Sequence, residues 1–185
     1  MDEFPENEHS FDEPTLARLA ALAAGFDDVC CVGAPLLGRR LADRGRAVTV
    51  LDLDTRCASV PGFQTGGLDG PAKLQARFGL IICDAPFCGV TPSRLFAALR
   101  ILSHHDPSQP LLLSDLKQRE SVTLGTFAPF GLTPTGCRPG YRTAGRAAGH
   151  DAEFYSNLPD NRRAALREGT RERASFGPEL VPAGL

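Results

Sequence analysis

The stretch LIICDAPF, residues 80–87, is an apolar run that ends in a carboxylate, a proline and an aromatic ring. Four apolar residues followed by such a turn are typical of a strand buried in a parallel sheet. Open α/β sheets bind their ligands in a crevice at the carboxyl ends of the strands. The sequence therefore predicts that Asp84 and the three residues after it lie at a ligand-binding edge.

Apolar runs and helix-like patterns alternate on both sides of this stretch, as far as residue 115. The strands are expected at 28–33, 47–53, 78–83 and 110–114, and the helices at about 12–24, 35–44 and 92–102. Residues 58–72 are rich in Gly and Pro and leave room only for a short edge strand. Since parallel strands are joined by right-handed crossovers, the alternation predicts an α/β fold whose mainly parallel sheet carries helices on both faces.

Two further strands are predicted later in the chain, at 126–133 and 152–156, and we expect them to be antiparallel neighbours. Residues 138–150 would then form the loop between them. Tyr141 and Arg142 lie in this loop, where such folds often gather substrate contacts, although most loop residues carry no function.

The length of 185 residues fits one domain, and the composition divides the chain into three parts. Residues 1–11 form an acidic arm that we expect to be disordered, 12–158 form the domain, and 159–185 form an Arg-rich tail. This tail has few large apolar residues, so it is expected to fray or to form a surface helix. Its mild basic bias weakly favours a nucleic-acid partner and is more typical of a solvated face.

Targeting and membrane signals are not found in the sequence. The first thirteen residues carry six carboxylates and neither Lys nor Arg, the opposite of a signal or transit peptide. No apolar run approaches the ~20 residues that span a bilayer. The six cysteines include no Cys-x-x-Cys pair, which argues against a metal site, and several fall in strand-like runs, as reduced cysteines do. We therefore expect a cytoplasmic protein without metal or membrane.

The loop VGAPLLG, residues 32–38, follows the first predicted strand. Gly33 and Ala34 allow the backbone to approach a ligand closely, and Pro35 suits the first turn of a helix. The loop lacks the Gly-x-Gly-x-x-Gly pattern, and Arg39 stands where a phosphate-binding loop has its Lys, which disfavours a nucleotide-phosphate binder. A tight turn without a ligand explains this loop equally well.

Asp52 lies nineteen positions after Gly33, at the end of the second predicted strand. A carboxylate about twenty residues after the first loop can accept hydrogen bonds from the hydroxyls of a cofactor ribose. Asp54 points to the same side if the strand continues, and it is the second candidate. An acid at a strand end can also serve only as a helix cap.

Four segments, in order along the chain, resemble a known enzyme family. The tetrapeptide at 84–87 closely resembles the Asp-Pro-Pro-Phe/Tyr signature of amino-group methyltransferases that use S-adenosylmethionine. The other segments are similar to the N6-adenine methyltransferase-like family: a small-x-Pro loop at 33–35, LDLDTR at 51–56 and EFYSN at 153–157. This family includes eukaryotic enzymes that methylate a lysine of elongation factor 1-alpha. The chain departs from it at Ala85 and Cys57, and residues 57–78 are compressed.

The resemblance implies a Rossmann-like class I methyltransferase fold with a seven-stranded sheet, and S-adenosylmethionine as the cofactor. The loop of Gly33, Ala34 and Pro35 would approach the cofactor. Asp52 would hold its ribose, with Asp54 as the second choice. No metal is implied.

Methylation of an amino group leaves the nitrogen lone pair free for in-line attack, while a carboxylate and a carbonyl hold the hydrogens. Asp84 would supply the carboxylate and Ala85 the carbonyl. Phe87, which follows Pro86, would supply a flat surface for stacking. A strand that ends in an Asx-type turn, with Phe87 packed in the core, remains the alternative.

The sequence thus predicts an S-adenosylmethionine-dependent methyltransferase that acts on an amino group of a macromolecule, either adenine N6 of nucleic acid or a protein lysine. The competing hypothesis is a catalytically degenerate methyltransferase fold that binds a partner or nucleic acid. Ala85 and the thin segment at 57–78 support this second hypothesis. Binding of the cofactor separates the two.

Overall fold

Seven strands form one sheet in the part of the chain that the structure describes, which is residues 10–66, 68, 76–84, 89–142 and 151–174 of a computed structural model. The strands are β1 Val29–Val32, β2 Val48–Asp52, β3 Phe63–Thr65, β4 Leu80–Cys83, β5 Leu111–Leu116, β6 Thr133–Pro134 and β7 Ala152–Ser156. The helices are α1 Glu13–Ala23, α2 Pro35–Ala42, α3 Pro92–Leu102, α4 Glu120–Thr126 and α5 Asp160–Ala174. The strand order is β3-β2-β1-β4-β5-β7-β6.

The predicted α/β alternation is confirmed. Strands β1 to β5 are parallel, with Val29 level with Val48 on one side and with Leu80 on the other. β7 runs antiparallel between β5 and β6. The chain adds β2 and β3 on one side of β1 and then returns to add β4 on the other, so a topological switch point lies between β1 and β4.

Helices cover both faces of the sheet. Val29 and Cys31 of β1 pack into the layer formed with α1, α2 and α5, whereas Cys30 and Val32 pack into the layer formed with α3 and α4. All four are buried, as expected for a parallel strand between two helical layers. Among the described residues, no helix has the length and apolar character that a membrane crossing needs.

The strand predicted at 126–133 is wrong for most of its length. α4 includes Thr126, a 3-10 turn covers Ala128–Phe130, and only the two residues of β6 pair with the sheet. Phe127 and Phe130 turn towards Phe96 of α3, with ring centroids 5.4 and 5.8 Å apart. The aromatic packing on α3 favours a turn over the strand that these residues prefer, because β propensity depends strongly on tertiary context.

The packed domain extends past both predicted limits, 12 and 158. Phe11, which the prediction placed in the acidic arm, is 2% exposed and packs against Phe154. α5 lies in the predicted tail, and its Leu166 is fully buried in the core layer shared with α1. The rest of the arm and tail, 1–9 and 175–185, lies outside the described residues.

Candidate active site

Three predicted positions meet at the carboxyl edge of the sheet. Gly33 follows β1, Asp52 ends β2 and Asp84 follows β4. The amide of Gly33 donates to the carbonyl of Leu51 at 2.9 Å, and the amide of Asp84 donates to the carbonyl of Val32 at 2.8 Å. These bonds continue the parallel ladders by one residue, so they hold all three positions side by side at the switch point.

The turn after β1 is built from small residues. Gly33 has a φ of +68°, in the left-handed region that favours glycine. Ala34 is buried and precedes α2 without a side-chain cap, and Pro35 occupies the first position of the helix, where its missing N–H costs nothing. The backbone at this turn therefore carries no bulky side chain between the sheet edge and a ligand.

The two acidic candidates at the end of β2 behave differently. Asp52 accepts the amide of Asp54 with Oδ1 at 2.8 Å. Burial raises the pKa of Asp52, and the Asp54 amide opposes this effect. Asp54 instead caps the 3-10 turn Thr55–Cys57 and forms an ion pair with Arg56 at 2.6 Å. Asp52 is thus the better placed of the two for a ribose.

Asp84 lies where the sequence predicted, and two hydroxyl groups hold it there. Its Oδ1 accepts hydrogen bonds from Ser114 Oγ on β5 and from the hydroxyl of Tyr141 at 2.9 Å. Within the described chain, no group donates to its Oδ2. One carboxylate oxygen is therefore fixed by the protein, and the other has its acceptor capacity left over.

The surroundings of Asp84 change its titration. Burial raises its pKa to about 7, and the hydrogen bonds from Ser114 and Tyr141 partly oppose this. Burial and the neighbouring Asp84 also raise the pKa of the Tyr141 phenol, so Tyr141 remains a hydrogen-bond donor. Near neutral pH, Asp84 is therefore divided between its charged and its protonated form.

Tyr141 is held by the start of the described chain. Residues 10–12, which we call the N-terminal strap, pair antiparallel with residues 140–142. The amide of Asp12 donates to the carbonyl of Gly140 at 2.7 Å, and the ring of Phe11 stacks on that of Tyr141 with centroids 5.4 Å apart. The strap therefore fixes the ring whose hydroxyl contacts Asp84.

Three of the predicted catalytic residues, Ala85, Pro86 and Phe87, lie outside the described residues. Among the residues that are described, Tyr141 is the aromatic residue that contacts Asp84. Its loop had been noted in the sequence, but its partnership with Asp84 had not. Ser114 was also missed, although a hydroxyl directly after the apolar run Leu111–Leu113 is a recognisable signal.

A second buried carboxylate, Asp115, lies next to Ser114 but has a structural task. It accepts hydrogen bonds from Arg119 Nε and from Thr123 Oγ1, both at 2.6 Å. Arg119 also donates to the carbonyl of Val90 at 3.1 Å. These contacts join β5, α4 and the segment that follows the Asp84 loop, so both oxygens of Asp115 are used within the protein.

Solved structures share this fold, although no protein-family model and no curated protein matches the sequence. The magnesium protoporphyrin IX methyltransferase of Synechocystis PCC 6803, solved with bound S-adenosylmethionine, is 17% identical with a TM-score of 0.53; 77% of this chain and 76% of that chain are covered. A TehB-like methyltransferase of Corynebacterium glutamicum is 16% identical with a TM-score of 0.54, covering 80% and 89%. A proposed RNA methyltransferase of Pyrococcus horikoshii is 14% identical with a TM-score of 0.51, covering 78% and 82%.

At these identities the similarity concerns the fold alone. Together with the seven-stranded sheet and its antiparallel β7, it establishes that the chain has the Rossmann-like fold of the class I S-adenosylmethionine-dependent methyltransferases. The fold class predicted from the sequence is therefore confirmed. The narrower resemblance to the N6-adenine methyltransferase-like family remains a prediction.

Proposed function

We propose that this protein is an S-adenosylmethionine-dependent methyltransferase that acts on an amino group of a macromolecule, adenine N6 of nucleic acid or a protein lysine. The observation that carries the proposal is the state of Asp84. Its carboxylate is anchored through one oxygen at the switch point, beside Gly33 and Asp52, and its other oxygen accepts nothing from the described residues.

The residues at the edge suit the cofactor. Gly33 presents a turn without a side chain, and Asp52 places a carboxylate at the end of β2, where it would accept a ribose hydroxyl. When bound, S-adenosylmethionine supplies an electrophilic methyl carbon. A binding measurement first tests whether S-adenosylmethionine binds at Gly33 and Asp52.

Asp84 would orient the substrate nitrogen. Its Oδ2 accepts one amino hydrogen, and this leaves the nitrogen lone pair directed away from the carboxylate. As the nitrogen gains positive charge during transfer, the nearby carboxylate stabilises it, because the charge develops in a site with little water. Since burial raises the pKa of Asp84 to about 7, the same oxygen is suited to take up the proton that the methylated nitrogen releases.

Cofactor binding tests the proposal directly. A ligand at 100 times its dissociation constant stabilises the folded state by ~2.7 kcal/mol, which raises the melting temperature of a chain of this size by roughly 5 to 10 °C. We expect this shift with S-adenosylmethionine and with S-adenosylhomocysteine. Asp52→Ala should weaken the shift, whereas Asp84→Ala should keep it and abolish methyl transfer from labelled cofactor to RNA, DNA or protein fractions. Methyl transfer by the Asp84→Ala variant would contradict the assigned role.

A second candidate function follows from the low exposure of Asp84. Only 7% of this residue is exposed, and Ser114 and Tyr141 close over one of its oxygens. A degenerate methyltransferase fold, which binds a partner or nucleic acid without catalysis, would tolerate such an enclosed acid. The absence of a thermal shift with either ligand would favour this candidate. The cytoplasmic location remains a prediction.

A further inference from the structure

An arginine-lined groove lies between α1 and α2, next to the candidate active site. It has a volume of about 360 Å³, and four of its lining residues are arginines. They are Arg39, Arg40, Arg44 and Arg142. We call it the arginine groove. Two carboxylates, Glu13 and Asp43, also line it, so the groove has a net positive charge in a chain whose formal net charge is −2.

The position of the groove connects it with Asp84. Arg142 follows Tyr141, whose hydroxyl donates to Asp84. At the α2 side, Leu36 lines the groove one residue after the Gly33-Ala34-Pro35 turn. A chain lying in the arginine groove would therefore pass beside the edge of the sheet where Asp84 lies.

Glu13 marks a place for an anion in this groove. Its carboxylate forms an ion pair with Arg40 and lies 3.7 Å from Arg142. This carboxylate is 63% exposed, so its hold on the two arginines is weak and replaceable. A phosphate offers the same planar guanidinium groups a stronger partner, because arginine binds phosphate oxygens in pairs.

Two arginines have N–H groups that no described residue accepts. Arg40 Nε is buried and has no hydrogen-bond partner in the described structure, which is uncommon for a buried N–H. Arg44 is exposed and forms no ion pair with the described residues. The arginine groove therefore holds more guanidinium donors than its own carboxylates use.

We infer that the arginine groove binds the phosphodiester backbone of a nucleic-acid substrate and directs one nucleotide towards Asp84. This inference rests on the proposed methyltransferase function and narrows its acceptor to nucleic acid. A protein lysine substrate would find a repulsive surface here, because it brings positive charge to four arginines. Phosphate contacts of this kind fix position and are strongly dependent on salt.

Binding of fluorescent single-stranded RNA and DNA of one base sequence, followed by anisotropy at several salt concentrations, tests the inference. The variant Arg39→Glu/Arg44→Glu should lose roughly tenfold or more in affinity and about 1.4 in the slope of log affinity against log salt, for two lost phosphate contacts. The matched control is Arg77→Glu/Arg100→Glu, an equal change of charge at exposed positions that do not line the arginine groove. It should remain within about twofold of the wild type, because neither side chain belongs to the proposed phosphate contacts.

A gain of binding completes the test, since misfolding cannot produce it. Glu13→Gln removes the carboxylate that competes with phosphate and should strengthen binding of both oligonucleotides. Equal losses in the two double variants would overturn the inference, as would an unchanged affinity of Glu13→Gln. Binding of AMP, inorganic phosphate or polyglutamate with the same arginine dependence would also overturn it, because a backbone track would then not be needed.

The cofactor measurement separates this inference from the proposed function. The thermal shift with S-adenosylhomocysteine is measured on the same variants. Nucleic-acid binding without any thermal shift by the cofactor would contradict the methyltransferase proposal and support the inference about the arginine groove. A normal thermal shift by the cofactor together with no binding of RNA or DNA would contradict the inference about the groove and leave the methyltransferase proposal standing.

Discussion

Asp84 illustrates how a single residue acquires properties from its neighbours. An acid at the end of a strand normally titrates near 3.8, but burial raises the pKa of Asp84 to about 7. Between these two values the folded protein holds a proton that the unfolded chain releases. The free energy of unfolding therefore falls as pH rises through this window. Above about pH 7 the ionisation of buried Asp84 has had its full destabilising effect.

Asp84→Asn should remove this cost. From about pH 4 to pH 7 the variant should become more stable relative to the wild type, by up to roughly 4 kcal/mol of unfolding free energy. Above pH 7 this difference should stay constant. Urea denaturation across this range measures it. Asp106→Asn is the control with the opposite sign, because hydrogen bonds from Ser108 lower the pKa of exposed Asp106. A stability difference for Asp84→Asn that did not vary with pH would contradict the assignment.

The hydroxyl of Tyr141 offers a second test at this scale. Its hydrogen bond favours the charged form of Asp84, so Tyr141→Phe should raise the pKa of Asp84 further. The pH at which methyl transfer reaches half its maximum should move upward. The chain has one other tyrosine, Tyr155, whose hydroxyl contacts Glu120 at 3.1 Å. Tyr155→Phe should leave the midpoint unchanged, and a shift of similar size in both variants would remove the special role of Tyr141.

At the scale of elements, the seating of α2 on the sheet depends on Gly38. A Cβ at this position would lie 2.2 Å from Cγ2 of Val50 on β2. The helix can therefore approach the strand only because the side chain is missing. This close contact holds α2 against β2, and the Gly33 turn immediately precedes α2 at the carboxyl edge of the sheet.

Gly38→Ala should destabilise the protein by roughly 1–3 kcal/mol, because the overpacked helix must move away from β2. Gly125 of α4 is a matched control, since a Cβ there has nothing within 4 Å. Gly125→Ala should stabilise by roughly 0.5–1 kcal/mol through the lower entropy of the unfolded chain. Thermal and urea denaturation measure the change in unfolding free energy of each variant and therefore its sign. Stabilisation by both alanines would contradict the described packing of α2.

At the scale of the whole molecule, α5 belongs to the core. Leu166 is fully buried beside α1, while its neighbour Arg167 is exposed and lies 3.7 Å from Asp160. Leu166→Ala should destabilise by roughly 2–5 kcal/mol, since it leaves a cavity, whereas Arg167→Ala should cost less than about 1 kcal/mol. Similar small losses in both variants would mean that α5 is only a surface helix, as the sequence had allowed.

Local pattern identified most of the sheet. Continuous apolar runs indicated β1 and β4, because a strand buried on both faces needs no polar residue. Shorter apolar stretches indicated β2 and β5, which also contain polar residues. The same reasoning placed Gly33, Asp52 and Asp84 at strand ends. It failed at Phe127 and Phe130, whose aromatic rings suit a strand but pack as a turn against α3. For residues 159–185 it allowed a surface helix but did not identify Leu166 as a core residue, because arginines surround this position in the sequence.

The α/β class, the parallel strands and the acid at the end of β4 follow from local sequence, since each depends on the composition and spacing of residues that are neighbours along the chain. Contacts between distant segments were needed to show that Ser114 and Tyr141 anchor Asp84, that the N-terminal strap supports Tyr141, and that four arginines share one groove. The hydroxyl partners lie 30 and 57 residues from Asp84 along the chain. No local periodicity records such pairings, because they arise when the strands and loops meet at one edge of the sheet.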